Sequence, residues 1–232
     1  MARDFSGTTD RITFPSAFNT TSQPLTVSAW VWFDVANQTN SQYIWQSASV
    51  GGNFGCAFFQ QGGVDRQLTI QRAGSTAMNF QTATSAFSIN TWHHVCASHD
   101  GSTSASGAQI YINGSPVGSA VQNLVGETTT NSGFHIGART SDNLRNFNGR
   151  IAEVAVWNRV LTAAEVESLA RGYTPDRLPR LLRFYVPLVR ELNERRQGMV
   201  GTATGTTVIA HPRVIRRPLR RWVPVLIGGG AA

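Results

Sequence analysis

An all-β fold, built as an antiparallel sandwich of two sheets, is predicted by three features of this 232-residue chain. Several segments alternate apolar and polar residues with a period of two, the signature of a half-buried strand. Turn sequences separate those segments at short intervals. Charge is scarce, at 14% of residues against roughly 25% in an average domain, and long helices need more than that on their wet faces. One short helix is expected.

The elements follow in order. In Leu25–Phe33, Leu25, Val27, Ala29, Val31 and Phe33 share one face, and Thr26, Ser28, Trp30 and Trp32 share the other. Gln67–Arg72 places Leu68 and Ile70 together. Trp92–Ser98 sets Val95 and Ala97 opposite His94 and Cys96. Gln109–Asn113 pairs Ile110 and Ile112 against Tyr111, and Asn113-Gly114 supplies the positive φ angles of a tight hairpin. In Ile151–Trp157, Val154 and Val156 are in phase but Ile151 is not. A β-bulge near Glu153, or burial on both faces, accounts for the slip. Thr162-Ala163-Ala164-Glu165 has the form of a capping box that opens a helix, which Gly172 ends and Pro175 keeps from restarting. Leu181–Leu188 reads as a strand whose Pro187 demands an edge or an end. Gly201–Ile209 reads as a further short strand.

Charge divides the chain. All 20 basic residues are arginines. Residues 1–170 hold 8 Arg against 10 Asp plus Glu, whereas residues 171–232 hold 12 Arg against 3 acids. The high isoelectric point therefore describes the C-terminal part, and a nucleic-acid-binding function for the whole chain is not expected. Prolines 212, 218 and 224 keep the Arg-rich tail extended. Two cysteines, Cys56 and Cys96, read better as buried thiols than as a bridge. No apolar stretch reaches the roughly 20 residues of a membrane span, and no signal peptide is visible in the N-terminal sequence.

The order of motifs resembles a known family. Phe5–Phe14, Leu25-Thr-Val-Ser-Ala-Trp-Val, Asn90-Thr-Trp-His-His-Val-Cys-Ala, Ile110-Tyr-Ile-Asn-Gly and the run from Phe147 to Val166 are similar to successive elements of laminin-G-like, concanavalin-A-like jelly rolls. That resemblance implies a two-sheet jelly-roll sandwich used for carbohydrate or protein binding. Residues 1–175 would form it. Residues 176–232 would be a C-terminal extension, with a late edge strand at about 181–188 and an Arg/Pro-rich tail at 211–227. Relatives of this fold sometimes bind calcium, for which Asp34, Asp65, Asp100 and Asp142 are the loop candidates. None lies in an Asp-x-Asp-x-Asp loop, and no cofactor is required.

Other relatives are glucanases. Hydrolysis of a glycosidic bond needs two carboxylates flanking it. Glu165 and Glu167 fall in the helix, Glu191 and Glu194 in an Arg-rich turn, and Glu153 has no acidic neighbour in sequence. An enzyme is not expected. His93 and His94 are adjacent, so on a strand they face opposite ways, which is poor geometry for sharing a metal. What remains is binding. Trp32, Tyr43 and Trp45 are the candidate carbohydrate contacts. Arg213, Arg216, Arg217, Arg220, Arg221 and Trp222, with His211, are the candidate docking tail for a partner, since arginine binds carboxylate and phosphate bidentately. The expectation is a non-catalytic binding or structural protein, a virion-associated subunit such as a phage capsid decoration or fibre-associated protein. Its tail would then dock on capsid proteins, and the sandwich would display towards cell-surface glycans. The alternative is a free lectin module of an exported or cell-surface protein. The expected location is the virion or the extracellular space, and self-association is left open.

Overall fold

The computed structural model describes residues 2–15, 24–36, 39–49, 54–72, 78–102, 107–117, 119–122, 131–139 and 145–214. Two antiparallel sheets face each other, as the alternation implies. The first contains β1 (Ala2–Ser6), β3 (Leu25–Phe33), β8 (Trp92–His99), β9 (Ala108–Ile112), β10 (Ser115–Val117), β13 (Asn148–Trp157), β14 (Leu182–Val186) and β16 (Thr207–Ile209). The second contains β2 (Arg11–Pro15), β4 (Gln42–Ser49), β5 (Phe54–Gln60), β6 (Leu68–Arg72), β7 (Met78–Thr82), β11 (Ser119–Gln122), β12 (Asn131–Ile136) and β15 (Thr202–Thr204). Their orders are β10-β9-β8-β3-β13-β1-β16, with β14 also on β13, and β11-β7-β6-β5-β4-β12-β2-β15.

The inward residues of both sheets make the core. Leu25, Val27, Ala29, Val31 and Phe33 of β3 meet Val95 and Ala97 of β8 there, together with Phe58, Ile70 and Phe80 from the opposite sheet. Asn113 and Gly114 carry φ angles of 52° and 85°, which closes the β9–β10 hairpin as expected. The phase slip in β13 is a bulge. Glu153 takes φ 52°, and the register with β3 shifts between Ala152 and Ala155. Ile151, Val154 and Val156 thereby all reach the core, and Ala155 and Trp157 turn outward.

Helix α1 (Ala163–Ala170) begins with the capping box: the Glu165 amide donates to Thr162 Oγ1 at 3.3 Å, and the Thr162 amide donates to Glu165 Oε2 at 2.9 Å. Val166 and Leu169 pack on Cys96, Tyr111 and Trp157, so the helix covers part of the outer face of the first sheet. Cys56 lies in the core and Cys96 lies under this helix. Both are buried, and no disulfide joins them. No helix among the described residues is long and apolar enough to cross a membrane.

The segment after the helix is woven into the sandwich. Strand β14 pairs with β13 and places Phe184 and Val186 in the core, followed there by Leu188 and Leu192. Its free edge is covered from within the chain, where the Arg195 amide donates to the Tyr185 carbonyl at 2.9 Å. Strands β15 and β16 extend different sheets, on β2 and on β1. Between them Gly205, at φ 75°, packs so closely on Asp10 that a Cβ would strike its carboxylate. The chain then crosses the outer face of the first sheet. His211 Nε2 lies 2.8 Å from the Glu153 carboxylate, Pro212 is buried, and the Arg213 carbonyl sits against Gly172 at the end of α1.

Two expectations follow. A chain ending at residue 176 would lack Phe184, Val186, Leu188 and Leu192 from its core. Each such side chain contributes about 1.5–3 kcal/mol on burial, so the loss is comparable with a whole domain's stability of about 5–15 kcal/mol. Thermal denaturation of residues 1–176 should show no cooperative transition, and a cooperative melt near the full-length temperature would overturn this.

The second concerns pH. His94 is buried, and loss of solvent pushes its pKa down from 6.5 to about 3. Burial also lowers His93 and His135. The unfolded chain therefore binds more protons than the folded one as pH falls below 6.5, so stability declines through that window. Each such proton contributes roughly 1.4 kcal/mol per pH unit. Urea midpoints should fall between pH 6.5 and 5, and His94→Gln should flatten the slope. An unchanged slope in that variant would assign the effect elsewhere.

Candidate functional site

Outward-facing residues of the second sheet build a cleft. In β5, β6 and β7 the inward positions are Phe58, Ile70 and Phe80, which leaves Phe59, Gln71, Asn79 and Gln81 on the outer face. Registry aligns them across the sheet. Tyr43 is opposite Phe59, Phe59 opposite Thr69 and Thr69 opposite Gln81. In the next row Gln71 is opposite Asn79. At roughly 4.8 Å per strand, four strands span about 14 Å. Ser41, Gln61, Arg139 and Arg145 complete the wall of a cleft of about 360 Å³.

The floor is aromatic and the rim polar. Tyr43 and Phe59 stack at 4.8 Å with nearly parallel rings, and they are only 2% and 4% exposed. Burial raises the Tyr43 pKa, while the charges of Arg145 and Arg139 and a hydrogen bond with the Arg145 side chain pull the other way. The backbone fixes Arg145 as well: its carbonyl accepts the Tyr43 amide at 3.2 Å, and its φ is 56°. Burial lowers the Arg139 pKa, helped by the neighbouring Arg145 charge. No carboxylate lines the cleft among the described residues.

The three expected carbohydrate contacts are not brought together. Tyr43 alone is in the cleft, where it serves as floor rather than as an open stacking face. Trp45 is 0% exposed and belongs to the core, against Phe134, so it offers no ring to a ligand. The reason is a register shift between Tyr43 and Trp45. It inserts one residue and turns both Ile44 and Trp45 inward. Trp32 is half-buried on the other sheet. Its Nε1 donates to Asp34 at 2.8 Å, the Arg150 guanidinium lies 4.5 Å above its ring, and Trp92 meets it edge-on. Trp32 is thus already engaged by its own neighbours.

Three of the calcium candidates are similarly occupied. Asp34 accepts from Trp32, Asp65 pairs with Arg66 and accepts from Ser85, and Asp100 accepts the Ser102 amide at 2.8 Å. Asp142 lies outside the described residues. Among those described, no group of three or more His, Cys, Asp or Glu could hold a metal ion. In the tail, Arg213 is exposed and His211 is mostly buried. Arg216, Arg217, Arg220, Arg221 and Trp222 lie outside the described residues.

Sequence reasoning missed Gln61, Gln71, Asn79, Gln81, Arg139 and Arg145. The polar members of Leu68-Thr69-Ile70-Gln71 and Asn79-Phe80-Gln81 were visible as alternation. Nothing in the sequence aligned them with one another.

Solved structures share the fold at low identity. A proposed carbohydrate-binding protein of Bacteroides ovatus superposes with a TM-score of 0.64 at 19% identity, over 89% of this chain and 58% of that one. The chain thus spans little more than half of that relative. Domain 4 of an extracellular GH43 arabinanase from Geobacillus stearothermophilus, solved with arabinotriose, gives 0.53 at 22%, over 69% and 72%. The binding domain of Paraclostridial Mosquitocidal Protein 1 gives 0.50 at 17%, over 66% and 38%. No curated protein sequence matches the chain. Residues 6–167, most of the sandwich, match the family model, and the chain belongs to the concanavalin A-like lectin/glucanase superfamily.

Proposed function

We propose that this is a non-catalytic carbohydrate-binding module of lectin type, and that glycans dock in the cleft on the second sheet. One observation carries the reading: Gln61, Gln71, Asn79 and Gln81 converge on one open cleft. An amide side chain both donates and accepts, so each can engage neighbouring sugar hydroxyls. The glycan links of the Bacteroides protein and of the arabinanase domain support the same reading. That no carboxylate lines the cleft among the described residues supports binding without cleavage, since hydrolysis needs two acids across the bond. The expectation of a virion subunit finds no support among the similar proteins, and they favour the free lectin alternative. A location outside the cell goes with the proposal.

A glycan array on the full chain, followed by calorimetry on the best ligand, tests it. One hydrogen bond contributes about 0.5–1.5 kcal/mol, so the double substitution Gln71→Ala, Gln81→Ala should weaken binding by about tenfold or more. Full-strength binding in that variant would move the site elsewhere. Release of new reducing ends from the bound glycan by the unaltered protein would overturn the non-catalytic half.

A further inference from the structure

We propose that the cleft selects anionic glycans, with Arg139 and Arg145 reading a carboxylate or sulfate group on the sugar. This rests on the carbohydrate-binding reading and narrows it to a ligand class.

The charge of the lining is one-sided. Two of the nine lining residues are cationic, and none is acidic among those described. The surrounding sandwich has the opposite balance, with more acids than arginines over residues 1–170. Two guanidinium groups are thus concentrated where a ligand would lie. They also act on one another, since the Arg145 charge joins burial in disfavouring the charged form of Arg139. An anion between them would relieve that repulsion.

Arg145 is held in place. The Arg145 backbone is tied to β4 through the Tyr43 amide, and its side chain bonds Tyr43 on the cleft floor. A guanidinium has five N–H donors, so this contact leaves others for a ligand. Arginine's planar fork matches a carboxylate or sulfate bidentately, whereas amides suit neutral hydroxyls. The cleft has both kinds of group. Gln71, Asn79 and Gln81 would hold the ring hydroxyls, and the arginines would read the charged substituent.

Calorimetry on the full chain separates the outcomes. Two ligand pairs serve: an oligogalacturonide with its carboxyl-reduced counterpart, and sulfated with unsulfated dextran oligosaccharide. The anionic member of at least one pair should bind about tenfold or more tighter than the neutral one. Which pair shows the difference distinguishes carboxylate from sulfate. This comparison needs no variant. The substitutions R139Q and R145Q together should erase the preference, so that the anionic and neutral members of a pair bind alike, with unchanged melting as the fold control. R145K should restore only part of it, because the charge returns without the fork. If both members of each pair bind equally, the anion inference fails and the glycan reading stands. If the preference survives intact in R139Q/R145Q, its source lies outside the cleft arginines and the inference fails. If the glycan array and both pairs show no binding, both readings fall.

Discussion

The sandwich depends on one buried carboxylate. Strand β13 is paired along one side with β3, and on its other side it must serve two partners in succession, β1 from Asn148 to Ile151 and β14 from Val154 to Trp157. The bulge at Glu153 is the joint between them. It costs a left-handed backbone at a non-glycine residue, and it leaves a carboxylate that is 2% exposed. A buried carboxylate is tolerated only when paired. Tyr185 donates its hydroxyl to one oxygen, and His211 approaches the other. Both partners come from the segment after the helix. The bulge that lets β13 feed the core thus also recruits β14 and the crossing strap to hold it.

That arrangement decides which face is open. The outer face of the first sheet is occupied by α1 at one end, by the strap at 210–213 and by the Trp32, Arg150 and Asp34 network. The second sheet has no helix on its outer side among the described residues. Its cross-strand rows are free to present Gln71, Asn79 and Gln81. The cleft thus lies on the open face, with a paired strand ladder as its floor.

Much of the architecture was legible in the sequence because it is written in local rules. Alternation placed Leu25–Phe33 and Trp92–Ser98, the capping box placed α1, and the phase slip at Ile151 located the bulge at Glu153. The site was less legible. A period of two predicts that Tyr43 and Trp45 share a face, yet the inserted residue between them sends Trp45 into the core. The bulge in β13 could be read because three apolar residues broke step. In β4 every residue from Tyr43 to Trp45 is apolar or aromatic, so no step was visible to break. The cleft itself draws on four strands and on connecting segments that carry Ser41, Gln61, Arg139 and Arg145, and only the tertiary fold brings those residues together.

Where the acids went bears on what the cleft can do. Glu153 is locked beneath the strap, and Glu194 accepts the amides of Tyr185, Arg196 and Gln197 at 2.8, 2.7 and 2.5 Å. Glu165 is held by Arg159 and by the helix cap, and Glu167 faces solvent beside Arg171. Each serves the fold. None of them reaches the second sheet's outer face, where a hydrolase would need a pair. Among the described residues, the groups that do reach it are amides, an aromatic floor, the Ser41 hydroxyl and two guanidiniums. They supply hydrogen-bond donors and acceptors, an apolar floor and two positive charges. The carboxylates of Glu153, Glu194 and Glu165 are instead engaged in holding the C-terminal segment and the helix in place.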